Sequence, residues 1–189
     1  MHAVIASDMK NTVKITVCGV ISALAIVLML GTNIPIMLYT VPALTGILFL
    51  IPSVELGAKW GFLCFSITAI LSVILPTERE ALIMFIGLLG YYPTVKLLIE
   101  RLNSRILGTT IKFFAFNVAV TGCFFVTAKL LGINIFQSEK FSMTVMIVAV
   151  YIVGNIAFAI FDFALTRILN IYFIKFRKQV RKIMHLNGK

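Results

Sequence analysis

Acidic residues are scarce in this chain: 189 residues hold seven Asp and Glu against seventeen Lys and Arg, with two His, three Cys and one Trp. Several kinds of chemistry lose their residues at once. No P-loop, HExxH sequence, Ser-nucleophile motif or pair of deep carboxylates occurs, so ATP hydrolysis and intramembrane proteolysis have no machinery, and the chain reads as a non-enzyme. His2 and His185 sit near the two ends. Cys18, Cys64 and Cys123 each lie in an apolar run without CxxC spacing. Neither a metal site, a cofactor nor a disulfide framework is expected, and the cysteines read as three buried thiols. Internal repeats, low-complexity stretches and an interdomain linker are absent as well.

Apolar residues fill the space. The chain is 60% hydrophobic and 13% charged, with a mean hydropathy of +1.05. That balance excludes a water-soluble globule. Because about 20 helical residues cross the roughly 30 Å hydrocarbon layer, the length accommodates about six crossings and no large soluble domain. The expected fold is all-α, a single polytopic membrane domain over 1–189, with spans near 13–31, 35–53, 57–75, 81–99, 111–132 and 143–165 and a basic tail over 166–189. The first apolar run exceeds a signal-peptide core and lacks an Ala-x-Ala site, so it reads as a retained helix. Pro42 and Pro52 predict a bent second span, and Gly87, Gly90 and Pro93 make the fourth the most irregular. Gly19 with Ala23, and Gly57 with Gly61, are small pairs spaced for close helix contact.

The net charge of +10 does not suggest nucleic acid, because the basic residues punctuate apolar runs instead of forming one face. With the N-terminus inside, only Arg79, Lys129 and Lys140 fall outside, leaving fourteen of the seventeen Lys and Arg on the inner side. The bias predicts both termini in the cytoplasm. The tail from Lys175 to Lys182, with Phe173 and Phe176 beside it, reads as a segment for the inner lipid surface.

Polar side chains inside such spans are expensive, at least about 2.5–3.5 kcal/mol for an unpaired ion, and so are informative. Glu55 and Lys59 are four apart and would pair across a helical turn. Lys96 and Glu100 share that spacing, just after Gly90-Tyr91-Tyr92-Pro93, which reads as a structural kink, as a surface for a partner subunit or as a direct substrate contact. Asn117, Asn155 and Asp162 need hydrogen-bond partners, within the bundle or on a ligand. On the outer side Asn33, Tyr39, Glu78, Arg79 and Glu80 form either solvated turns or a closure over a small molecule.

Taken together, the short basic N-terminus, the small-residue helix VCGVISALAIVL, the Asn33-Ile34-Pro35 break, the proline-containing second span and the six-span plan resemble the membrane-embedded substrate-binding subunit, or S component, of an energy-coupling factor vitamin transporter. The family commonly meets its coupling subunit through small residues four apart in helix one; Gly19 and Ala23 match that spacing here, with Gly in place of one alanine. The resemblance implies a vitamin-like small molecule as ligand, an energy-coupling transmembrane subunit and two cytoplasmic ATPase subunits as partners, and a prokaryotic plasma membrane as location. It places the ligand in the outer half, making Asn33, Tyr39, Glu78, Arg79 and Asn155 candidate contacts. Gly19, Ala23, Tyr91, Tyr92 and Lys96 become the candidate coupling surface, and Glu55, Lys59, Glu100, Asn117 and Asp162 a candidate structural network. Two other classes remain open: a self-contained channel or secondary transporter lined by Lys96, Asn117, Asn155 and Asp162, and a structural membrane protein or assembly factor.

Overall fold

The computed structural model describes residues 11–101, 104–130 and 140–183. His2, Lys10, His185 and Lys189 lie outside the described residues. Helix α1, Asn11–Leu30, is a long apolar run without proline. It stops in a tight turn over Gly31–Asn33, where side chains cap the freed carbonyls: Thr32 Oγ1 donates to Met29 O at 2.7 Å and Asn33 Nδ2 to Leu30 O at 3.0 Å. The second apolar segment is split into α2, Thr40–Leu48, and α3, Leu50–Glu55. Pro42 occupies the first turn of α2, where its missing N–H costs nothing. The break falls at Phe49, next to the Leu48 carbonyl that Pro52 cannot serve.

Gly57 then reverses the chain at φ +106°, a conformation natural to glycine. That break separates α3 from α4, Ala58–Ile74, so Glu55 and Lys59 do not share the helical turn expected from their spacing. The fourth apolar segment comprises α5, Arg79–Met84, a wide π-helical turn at Phe85–Leu89, and α6, Tyr92–Ile99. Pro93 sits in the first turn of α6, which starts afresh after Gly90. Helices α7, Arg105–Leu130, and α8, Lys140–Ile171, are long and antiparallel. A second π-helical turn over Tyr172–Phe176 leads into α9, Arg177–Ile183.

Among the described residues the protein is therefore an all-α membrane bundle of six apolar helical segments. Four of these are long and apolar enough to cross a bilayer: 11–33, 79–99, 106–126 and 147–180. The other two, 40–55 and 58–74, are shorter; seventeen residues of α4 reach only about 26 Å at 1.5 Å per residue. The outward faces of the long helices carry Phe114, 71% exposed, and Phe125, Val153 and Ile160, each 64% exposed. Water would oppose such a surface, whereas acyl chains accept it.

Contacts fix how the segments run. Cys18 faces Cys64, and Asn33 Nδ2 donates to Pro76 O at 2.9 Å, so α1 and α4 are parallel. Glu55, at the end of α3, meets Arg177, just beyond α8. Asn11 and Ile171 consequently lie at the same end of the bundle, with the 31–33 and 76–78 turns at the other.

Two cores hold the segments together. The first joins Cys18, Ile21, Ala25 and Met29 of α1 to Phe49, Cys64 and Phe85. The second joins Leu50, Leu88 and Tyr92 to Phe116 of α7 and Phe158, Leu165 and Leu169 of α8, with Phe158 stacked on Phe116 at 4.3 Å between centroids. Between them, Gly61 lets α4 approach α3 and α6. A Cβ there would collide with Ser53 Oγ and come within 2.8 Å of Thr94 Oγ1, two hydroxyls themselves 2.8 Å apart. One expectation is corrected: Cys18 and Cys64 form a disulfide, and only Cys123 is a free thiol among the described residues. The two positions are 46 residues apart, and helix packing rather than sequence spacing brings their Cα atoms to 5.7 Å.

Candidate functional site

Tyr92 and Lys96 of α6 and Glu100, the residue that caps its end, recur at intervals of four, hence on one face. That face meets α7 and α8 near the end of the bundle shared by Asn11 and Ile171. Lys96 is completely buried, and burying an ammonium is tolerable only if its protons and charge are matched. Its Nζ is paired with Asp162 Oδ1 of α8, donates to the Asp162 main-chain oxygen at 2.8 Å, and lies 3.1 Å from Glu100 Oε1. Tyr92 donates its hydroxyl to Asp162 Oδ1 at 2.6 Å. From α7, Lys112 Nζ donates to Glu100 Oε1 at 3.0 Å and lies 3.4 Å from both Asp162 carboxylate oxygens. Two ammonium groups and two carboxylates thus neutralise one another and fasten three helices at a single point.

Beside this cluster is a cleft of about 430 Å³, lined by Ile99, Glu100, Ser104, Gly108, Thr109, Lys112 and Thr166. That volume falls within the range of small-molecule pockets, about 300–1,000 Å³. Lys112 forms the junction, since its ammonium belongs to the network and its side chain to the cleft wall.

Asn117 and Asn155 are each other's partners. The amides exchange hydrogen bonds of 3.0 and 3.1 Å across α7 and α8, and each also donates to the carbonyl four residues before it. One turn further along, Thr121 Oγ1 and the Tyr151 hydroxyl are 2.5 Å apart. Asn155 therefore belongs to a polar ladder running along the α7–α8 seam, on from the ionic cluster.

The remaining candidates are scattered. Glu55 is buried and accepts from Arg177 Nε at 3.1 Å and from the Tyr172 hydroxyl at 3.3 Å, while Lys59 is exposed. At the opposite end, Asn33 ties the α1 turn to Pro76, and the Glu78 N–H donates to Thr32 Oγ1 at 3.4 Å. Tyr39, Glu78 and Arg79 are exposed there. Gly19 and Ala23 are exposed on the side of α1 away from α4, and a Cβ at Gly19 would meet nothing within 4 Å. Tyr91 turns away from the ionic cluster, donating to Gly87 O at 2.8 Å and packing edge-on against Phe65. Coupling-surface residues from the first and fourth spans thus separate: Tyr92 and Lys96 are interior, whereas Gly19 and Ala23 face outward.

No family model matches the chain, and no curated protein or solved structure matches it either. Among the described residues no group of three or more His, Cys, Asp or Glu stands ready to hold a metal ion.

Sequence reasoning assigned Lys112 only to the inner-side charge count. It lies two turns inside α7, in the apolar run Ile111–Phe116, and its depth was the available signal. Starting the span at residue 111 put that lysine at a boundary, whereas α7 begins at Arg105.

Proposed function

We propose that this chain is the S component of an energy-coupling factor importer, capturing a vitamin-like micronutrient and relying on a separate transmembrane subunit and two ATPases for energy. The observation that carries the reading is the small exposed face of α1 at Gly19 and Ala23, open beyond the backbone, in a bundle of six apolar segments. Small residues at a helix surface allow a second helix to approach closely, the main source of affinity between helices in lipid. Both termini lie in the cytoplasm in this reading, because the basic residues concentrate at that end. Reorientation of the bundle, driven by the ATPases, then releases the ligand inward.

The test is Gly19→Leu with Ala23→Leu, expressed alongside the coupling subunits. Neither residue touches the bundle interior, so folding is retained. Loss of co-purification and of uptake supports the proposal, and unchanged assembly and uptake refute it.

A second reading draws on the buried Lys96–Asp162–Lys112 network, since ionisable residues inside a membrane commonly mark a solute or ion path. In that case the chain acts alone as a secondary transporter or channel. Liposomes holding only this protein separate the two: solute or ion flux without ATPases favours the second.

A further inference from the structure

The cleft beside the ionic cluster has unspent hydrogen-bonding capacity of both signs. An ammonium carries three protons. The contacts of Lys112 Nζ with Glu100 and Asp162 engage two of them. Both lysines approach the same Glu100 oxygen, Oε1, which leaves Oε2 without a partner among the described residues. The Glu100 side chain is 38% exposed and lines the cleft. Ser104, also in the lining, accepts from the Leu107 N–H at 3.4 Å and keeps its own proton to donate.

The cleft therefore offers a cation and an anion about one hydrogen bond apart, set against a cluster of zero net charge. A lone anion or a lone cation would unbalance that cluster where the dielectric is low. A ligand carrying both charges leaves it neutral.

We propose that this cleft binds a compact zwitterion, a primary ammonium one or two carbons from an oxyanion. The ammonium sits on Glu100 and the oxyanion on Lys112 and the Ser104 hydroxyl. Glu100 and Ser104 flank the connection between α6 and α7, near the end of the bundle shared by Asn11 and Ile171. Two sources share the chemistry: the phosphoethanolamine end of a phospholipid, and a free solute such as an amino acid. The proposal does not depend on the chain being an S component.

The experiment places the full-length protein in phosphatidylcholine nanodiscs and counts bound molecules by native mass spectrometry. One arm adds phosphatidylethanolamine; the other adds glycerophosphoethanolamine, a phosphodiester whose charges balance, or glycine, with inorganic phosphate as a probe of negative charge alone. Binding of the ethanolamine lipid alone assigns the lipid source, and binding of the soluble zwitterions assigns the free one. Glu100→Gln removes the anion at nearly constant shape and is expected to weaken the zwitterion about ten-fold or more, the scale of one charge-assisted hydrogen bond. Ser104→Gly, which removes the hydroxyl at the N-cap of α7 where glycine is tolerated, is expected to weaken it several-fold. The choline lipid has no ammonium proton and is expected to be indifferent to Glu100→Gln. The proposal is overturned if none of the three zwitterions binds, if inorganic phosphate binds as tightly as glycerophosphoethanolamine, or if Glu100→Gln binds with wild-type affinity.

Discussion

Replacing Asp162 with Asn removes one charge from the point where α6, α7 and α8 meet. The change is nearly isosteric, so packing stays constant and electrostatics carries the effect. Lys96, fully buried, keeps the Asp162 main-chain oxygen at 2.8 Å and Glu100 at 3.1 Å, but Glu100 must then serve two ammonium groups. Breaking a buried ion pair from one side typically costs about 3–5 kcal/mol. The surviving Glu100 contact places the expected loss near the bottom of that range, about 3 kcal/mol. Replacing both partners removes the stranded charge. Lys96→Met with Asp162→Leu is therefore expected to cost less than Asp162→Asn alone, and less than the sum of Lys96→Met and Asp162→Leu by a coupling energy of at least about 2 kcal/mol. The assay is reversible unfolding in mixed detergent micelles with helicity followed by circular dichroism, run for wild type, Asp162→Asn, Lys96→Met, Asp162→Leu and the Lys96→Met/Asp162→Leu double. A loss below about 1 kcal/mol for Asp162→Asn, or strictly additive single changes, would refute the assignment of a buried, mutually dependent ion cluster.

Gly61→Ala drives a methyl group into Ser53 Oγ and is expected to lower stability by about 1–3 kcal/mol; adding Ser53→Ala should recover part of the loss in the same unfolding assay. Asn117→Leu strands the Asn155 amide in the α7–α8 seam and is expected to cost about 0.6–1.7 kcal/mol, with Asn117→Leu/Asn155→Leu less damaging than the sum of the two singles. Denatured without reductant, the protein should take up maleimide at Cys123 alone, and after reduction at all three cysteines, as read by intact mass; labelling of all three before reduction contradicts the Cys18–Cys64 link.

Composition made the membrane bundle legible because apolar runs of this length have few other solutions. Lys96 and Glu100 were legible as a pair for a local reason: four residues is one helical turn, and α6 is continuous between them. The same arithmetic failed for Glu55 and Lys59, where Gly57 at φ +106° breaks the helix. The partner observed for Glu55, Arg177, is 122 residues away, a distance at which spacing carries no information. Asp162 and the two asparagines announced a need for partners through their depth, but which helices would meet depended on packing among nearly uniform apolar faces. The Cys18–Cys64 contact was hidden for that reason too. Prolines marked the irregular segments, while the breaks themselves fell at Phe49 and Gly90.

Purification of the tagged chain from its own membranes, under mild detergent and with mass spectrometric identification of what accompanies it, tests whether this protein borrows its energy from partners. The S-component reading expects a second integral membrane protein and a pair of ATPases at fixed stoichiometry, all lost from Gly19→Leu/Ala23→Leu. Recovery of the chain alone, together with solute flux through liposomes that contain nothing else, would contradict it.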